Sequence, residues 1–131
     1  MMLLAALLAA LSLTAPPARV TVERTLDLPT GPAGGSFAFT VSAVYPDRVV
    51  LVVPHGAAVS VAARSFDGRM VLGASTRPWQ TSCRRRGAVD VCSQPLEWCP
   101  LTDDRWRATV RKTSAAPAVV RVRLVFVTSG A

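Results

Sequence analysis

The sequence predicts an all-β protein, an antiparallel β-sandwich of the jelly-roll type that follows an N-terminal signal peptide. After residue 18, short runs rich in Val, Phe and Thr recur at intervals of about 8 to 12 residues, with Gly, Pro and Asp between them. None of these runs repeats its apolar residues with the period of a helix, about 3.6 residues. Many short strands without helices favour a sandwich or a jelly roll.

The N-terminal segment predicts export from the cytoplasm. Leu3 to Leu13 is an apolar run interrupted only by Ser12, a length typical of a signal-peptide core and too short to cross a bilayer. We expect residues 1–18 to be the signal peptide and 19–131 to form one β-sandwich domain. The mature chain is then secreted or held in the cell envelope and has no transmembrane segment. An uncleaved membrane anchor and an apolar N-terminal strand are the alternatives.

Alternation of side chains justifies the individual strands. Phe37, Phe39 and Val41 alternate with small residues, which indicates a strand with one buried face, and in residues 59–64 Val59, Val61 and Ala63 alternate with Ser60, Ala62 and Arg64 in the same way. Residues 49–53 are apolar throughout, as expected of a central strand covered on both faces. The predicted strands span 20–28, 36–44, 48–53, 58–65, 70–74, 80–85, 88–93, 106–112 and 118–128.

The last third of the chain predicts a β-hairpin with one arginine-rich face. Residues 106–111 and 119–127 alternate apolar and Arg or Thr residues on either side of a short break at 113–117. If Lys112 faces Ala118, the apolar residues of both strands lie on the inner side of the pair. The same register places Arg107 directly opposite Arg123 on the outer side.

This outer face is the main candidate binding surface. Like charges directly opposite each other are destabilising, and a bound phosphate, sulfate or carboxylate would relieve the repulsion. The candidate residues for an anion or a partner are Arg107, Arg111, Arg121 and Arg123. The alternative is a solvated sheet face without a ligand.

The cysteines predict a second, smaller hairpin. Gly87-Ala88 suits a type II′ turn, and closing that turn sets Arg85 opposite Asp90 and Cys83 opposite Cys92. Opposed residues of this kind lie about 4.5 Å apart at Cα, which permits a disulfide. We favour Cys83–Cys92, and a bridge from either residue to Cys99 is the alternative.

Two further features accompany this hairpin. Cys99 is left as an unpaired thiol or as an intermolecular bridge, which would give a disulfide-linked dimer. The run Arg84, Arg85 and Arg86 lies at the hairpin tip and is the second candidate basic cluster. It is interpreted as a binding finger or a protease processing site, with a solvated turn as the alternative.

Charge restricts the class of partner. The chain has 15 basic and 8 acidic residues, a net charge of +7, and a single lysine, Lys112. Its isoelectric point near 11.0 predicts attraction to polyanions. Aromatic residues make up only 6% of the chain, which argues against a surface on which nucleic-acid bases stack. An anionic polymer or a protein is therefore the expected partner, and no specific nucleic acid is expected.

The sequence predicts no catalytic residue, metal or cofactor. His55 lies in an apparent turn without a nucleophile motif beside it. Asp103 and Asp104 fall short of the six to eight oxygen ligands that calcium takes. The three cysteines have neither the spacing nor the nearby histidine of a usual zinc site.

Several motifs resemble those of the jelly-roll domains that accompany secreted proteases. The motifs are the Phe-rich and Val-rich strands, the segment 59–68 and the segment 106–111 that leads into the last strand. They resemble the bacterial pre-peptidase C-terminal domains and the P-domains of proprotein convertases, over residues 36–127. Some of those domains bind calcium, but here a single Asp precedes Gly68 and a Cys-bearing insertion occupies 79–100.

Taken together, these features predict an exported, non-catalytic binding or interaction module. One alternative is a small secreted enzyme or protease inhibitor that uses the disulfide-closed loop 79–100. Another is a structural protein of the envelope. An inhibitor would lose activity on reduction, whereas a binder of anionic polymers would show salt-dependent retention.

Overall fold

The computed structural model describes residues 18–66, 71–76, 82–96 and 102–128 and contains eight β-strands and no helix in that part of the chain. The all-β sandwich expected from the sequence is confirmed. The predicted signal peptide lies almost entirely outside the described residues. The strands are β1 Arg19–Leu28, β2 Ala33–Pro54, β3 Val59–Ser65, β4 Val71–Ser75, β5 Ser82–Arg86, β6 Val89–Pro95, β7 Thr102–Lys112 and β8 Ala118–Thr128.

Two antiparallel sheets pack against each other and share the long strand β2. The first half of β2 pairs with β7, which is followed by β3 and β4; we call this the β7 sheet. The second half of β2 lies between β8 and β6, with β1 beyond β8 and β5 beyond β6; we call this the β8 sheet.

Strand β2 passes from one sheet to the other through irregular pairing. Its register shifts between Val41 and Val44 against β7, and again between Pro46 and Arg48 against β8. A β-bulge bends a strand and changes its twist, and proline in a sheet is typically found at such a place. The Tyr45-Pro-Asp47 break therefore separates two sheets within one strand, where the sequence predicted two strands joined by a turn.

The predicted hairpin between the last two strands is wrong. β7 pairs with β2 and β3, whereas β8 pairs with β1 and β2, so residues 113–117 connect the two sheets. The predicted inner face is nevertheless correct. The inward side chains of both strands are fully buried, namely Trp106, Ala108, Val110, Val120, Val122 and Leu124. Alternation identifies the buried face of a strand but not its neighbour.

The core is centred on aromatic residues contributed by three strands. The ring of Phe39 stacks on Trp106 with centroids 6.2 Å apart and planes inclined by 6°, and the ring of Phe126 lies 6.0 Å from Phe39. Trp106 and Phe126 are completely buried. Aromatic contacts of this kind join β2, β7 and β8 and so hold the two sheets together.

Lys112, the single lysine of the chain, is buried at the end of β7. Its ammonium donates hydrogen bonds to the carbonyl oxygens of Gly31 at 2.6 Å, Ser114 at 2.7 Å and Ala116 at 2.8 Å. An ammonium has three donors and no acceptor, so these contacts satisfy it completely. Lys112 thereby fastens the 29–32 loop to the connection between the two sheets.

Candidate anion-binding site

The arginines expected on one face lie on two different sheets. Arg107 and Arg111 project from β7, and Arg121 and Arg123 project from β8, all four of them exposed. Because the sheets pack through their inner faces, these two pairs point away from each other on opposite sides of the sandwich. The expected contact between Arg107 and Arg123 is therefore wrong, since it depended on the hairpin.

Arg107 instead faces another arginine across the β7 sheet. In the pairing of β3 with β7, Arg64 lies directly opposite Arg107, and Ser60 lies opposite Arg111. Cross-strand partners have Cβ atoms about 4.5 to 5.5 Å apart, so the two guanidinium groups share one region of the surface. Alternation in residues 59–64 had placed Arg64 outward, but nothing in the sequence indicated that β3 lies beside β7.

These arginines line a groove of about 820 Å³ on the outer face of the β7 sheet. Much of the lining consists of small residues, which leave room around the arginine side chains. None of the described lining residues is acidic. The small lining residues are Ser60, Ala62, Ser65, Gly73, Ala74, Ser75 and Thr109.

The arginines of the groove have few partners among the residues that the structure describes. An Nη atom of Arg107 lies 3.4 Å from the Ser36 hydroxyl, a long hydrogen bond. Neither Arg64 nor Arg111 makes a hydrogen bond or ion pair with any residue that the structure describes. Among the described residues nothing neutralises the positive charge of the groove, and the pair Arg64 and Arg107 repel each other.

Two residues of the groove lining differ in chemistry from the arginines. The Gln94 side-chain amide donates to the Gly73 carbonyl oxygen at 3.0 Å, which ties β6 to β4. The Phe66 ring is 53% exposed and packs 5.2 Å from the guanidinium carbon of Arg105. An exposed aromatic ring beside the arginines provides an apolar contact for a ligand.

Arg121 and Arg123, on the β8 sheet, already have an acidic partner. Glu23 of β1 accepts contacts from Arg121 at 3.5 Å and from Arg123 at 3.3 Å, one through each carboxylate oxygen. Such exposed pairs contribute little stability. The Glu23 carboxylate nevertheless neutralises part of the positive charge of Arg121 and Arg123. No described carboxylate does the same for Arg64 and Arg107.

The small hairpin has the predicted register and the favoured disulfide. Cys83 pairs with Cys92, the two sulfurs form the bridge, and Gly87 has a φ of 61° at the turn. Strand alternation divides the predicted basic cluster: Arg84 and Arg86 share one face, and Arg85 lies on the other. The Arg85 Nε atom donates to the Gly87 carbonyl oxygen at 3.1 Å. The three arginines therefore do not form a single finger.

Asp90 connects this hairpin to the turn after β2. Its carboxylate lies 2.9 Å from Nδ1 of His55 and accepts a hydrogen bond from the Gly56 amide at 3.0 Å. The bond with His55, followed by that from Gly56, lowers the pKa of Asp90 below its usual 3.8. Asp90 does lie opposite Arg85, as expected, but His55 is the partner of its carboxylate.

Acid should loosen this connection. Because the pKa of Asp90 is lowered on folding, its contribution to stability is present above about pH 4 and is lost as the pH falls through the folded-state pKa. Urea unfolding followed at several pH values should show wild type losing stability relative to Asp90→Asn in that acidic window. A wild-type advantage that stays constant from about pH 6 to about pH 3 would contradict this account.

No metal centre or membrane-spanning helix is found within the described ranges. Several residues considered in the sequence, including Cys99 and the Asp67 beside Gly68, lie outside those ranges. The unpaired or intermolecular state of Cys99, and with it a disulfide-linked dimer, stays a prediction.

No protein-family model matches this chain, and no curated protein matches its sequence. The resemblance to pre-peptidase C-terminal domains and P-domains therefore stays a prediction. The fold and the site define the chain as an all-β sandwich with arginine-bearing outer faces.

Proposed function

We propose that this protein is an exported, non-catalytic module that binds an anionic polymer on the outer face of its β7 sheet. The observation that carries this proposal is the direct opposition of Arg64 and Arg107 in a groove whose described lining contains no carboxylate. A phosphate, sulfate or carboxylate between the two guanidinium groups would convert repulsion into two charge-assisted hydrogen-bonding contacts.

The spacing of the arginines favours a polymer over a single small anion. Arg111 follows Arg107 by four residues on the same face of β7, which corresponds to about 13 Å along the strand. One anionic group can lie between Arg64 and Arg107 while a second one reaches Arg111. A ligand with repeated charges gains from both contacts for one loss of translational freedom.

Export is supported by two features that are independent of the groove. The Cys83–Cys92 disulfide is typical of proteins in an oxidising environment outside the cytoplasm. The N-terminal apolar run has the length of a signal-peptide core. We propose a secreted or envelope location on these grounds.

A protease-inhibitor role has less support. Much of the loop 79–100 that an inhibitor would present is paired as β5 and β6 in the β8 sheet. Its turn at Gly87-Ala88 is short, and of the two strands beside it β6 is held to β2 and β5 is held to β6. An inhibitory loop needs a protruding segment that fits a protease cleft.

Retention on a heparin column tests the proposed function. We expect the variant Arg64→Gln/Arg107→Gln/Arg111→Gln to elute at much lower salt than wild type. In solution, the slope of log affinity against log salt should become shallower by about three, because each lost contact removes about one unit.

The matched control removes the same charge from the other side of the sandwich. Arg86→Gln/Arg121→Gln/Arg123→Gln also lowers the net charge of +7 by three units but leaves the groove intact. It should elute close to wild type. Equal losses for the two triple variants would show that net charge alone governs retention, and the proposal would then be wrong.

A further inference from the structure

The outer face of the β8 sheet contains a trough with an apolar floor. Val50 and Val52 of β2 lie beside β6, where Val52 pairs with Val91 and Pro54 pairs with Val89. The four valines are half-buried and line a depression of about 300 Å³. Apolar residues that are contiguous on an outer face and rimmed by charged ones are the pattern of an interaction surface.

Arginines border this floor on both sides. One cross-strand row runs from β8 to β5: Arg121 pairs with Val52, Val52 with Val91, and Val91 with Arg84. Arg123 lies opposite Val50, and Arg86 lies opposite Val89. Three strand spacings of about 4.8 Å separate the two arginine borders, which places them about 14 Å apart.

We propose that this trough docks an amphipathic helix of a protein partner, with carboxylates on both sides of the apolar stripe of that helix. A helix with its side chains is about 10 to 12 Å in diameter, so it fits between two arginine borders about 14 Å apart. Its apolar stripe would cover the valines, and its acidic flanks would reach the guanidinium groups of β8 and β5.

Charge and polarity together distinguish this occupant from the ligand of the β7 sheet. An anionic polymer has little apolar surface with which to cover the valines, whereas the floor of the β7 groove is built of small residues. Arg84, Arg86, Arg121 and Arg123 outnumber Glu23 and Asp27, the two carboxylates that β1 presents on this outer face, and the excess of positive charge favours an acidic partner. This inference stands independently of the proposed polymer binding.

Glu23 acts as an internal competitor in this arrangement. It holds Arg121 and Arg123 through contacts of 3.5 and 3.3 Å, which a carboxylate of the partner would have to replace or share. Glu23→Gln should therefore raise the affinity for an acidic helix severalfold. The expected result is an increase in affinity. A misfolded variant would bind more weakly, so misfolding cannot produce this result.

Synthetic helices test the docking directly. The test peptide has about 18 residues, a length of about 27 Å, with a leucine stripe flanked on both sides by glutamate. Fluorescence anisotropy should show that Arg84→Gln/Arg121→Gln and Val52→Thr/Val91→Thr each weaken its binding by about tenfold or more. Arg64→Gln/Arg107→Gln/Arg111→Gln, which lies on the other sheet, should leave the affinity unchanged.

Control ligands distinguish an acidic amphipathic helix from other occupants of the trough. A peptide with lysine in place of glutamate, and one with serine in place of leucine, should both fail to bind. The proposal is overturned if the serine peptide binds equally well, since charge alone then suffices, or if the Val52→Thr/Val91→Thr protein binds the test peptide like wild type. It is also overturned if dodecyl phosphate binds the trough and the test peptide does not.

Discussion

Lys112→Met is expected to lower the free energy of unfolding by about 3 to 5 kcal/mol, because three carbonyl oxygens lose a charged donor in a buried place. The side chain is only 1% exposed, so water has little access to the oxygens that Lys112 leaves. For a domain of this size, the fall in Tm should exceed about 10 °C. Thermal unfolding followed by circular dichroism measures it.

Two further variants define what Lys112 contributes. Lys112→Arg should also be strongly destabilising, because a planar guanidinium is larger than an ammonium and does not fit a compact set of three carbonyl oxygens. Arg111→Met removes the same charge one residue away and should change stability by less than about 0.5 kcal/mol. A Lys112→Met protein as stable as Arg111→Met would refute the role given to the ammonium.

Trp106→Ala is expected to cost about 3 to 5 kcal/mol, since it removes the largest side chain of the core. Trp106 is completely buried and stacks on Phe39 at 6.2 Å, between the two sheets. Strand β7 is paired with β2 on one side and with β3 on the other, so these strands cannot move inward to fill the cavity that the Trp106 side chain leaves. Urea unfolding measured by circular dichroism gives the loss.

Trp106→Phe should behave very differently. The buried Nε1 of Trp106 has no hydrogen-bond partner among the residues that the structure describes, and such a donor costs about 1 to 3 kcal/mol. Replacement by Phe loses some packing volume but also removes this donor, so the net loss should stay within about 1.5 kcal/mol. If Trp106→Phe lowers the free energy of unfolding as much as Trp106→Ala does, the proposed penalty for the unpaired Nε1 donor is contradicted.

The local features of this protein could be predicted from its sequence. Gly87 at a two-residue turn fixes which residues of the small hairpin oppose each other, and so the Cys83–Cys92 pairing followed. The buried faces of β7 and β8 also followed, because apolar and polar residues alternate along each strand. Both inferences use neighbours close in sequence.

The arrangement of strands in space could not be predicted in the same way. β7 and β8 are consecutive and have complementary patterns, yet each pairs with β2 and with a different outer strand. Pairing across long sequence separations depends on the whole sandwich and leaves no mark on either strand alone. The bend in β2 lets this one strand belong to both sheets, and it thereby determines which strands lie beside β7 and β8.

The candidate sites changed for the same reason. Arg64 was outside the predicted site because its partner strand was unknown, and Arg121 was placed beside the wrong neighbour. The valine floor between Arg121 and Arg84 also depends on three separate pairings. Basic residues could be found from the sequence, but their grouping into two faces required the fold.

The most direct test of the account is a titration with linear polyphosphate, observed through the Nε–Hε signals of the arginines in NMR spectra. We expect the signals of Arg64, Arg107 and Arg111 to shift together and saturate, while those of Arg121 and Arg123 stay in place. Shifts centred on Arg121 and Arg123, or spread evenly over all the arginines, would contradict the assignment of the anion site to the β7 sheet.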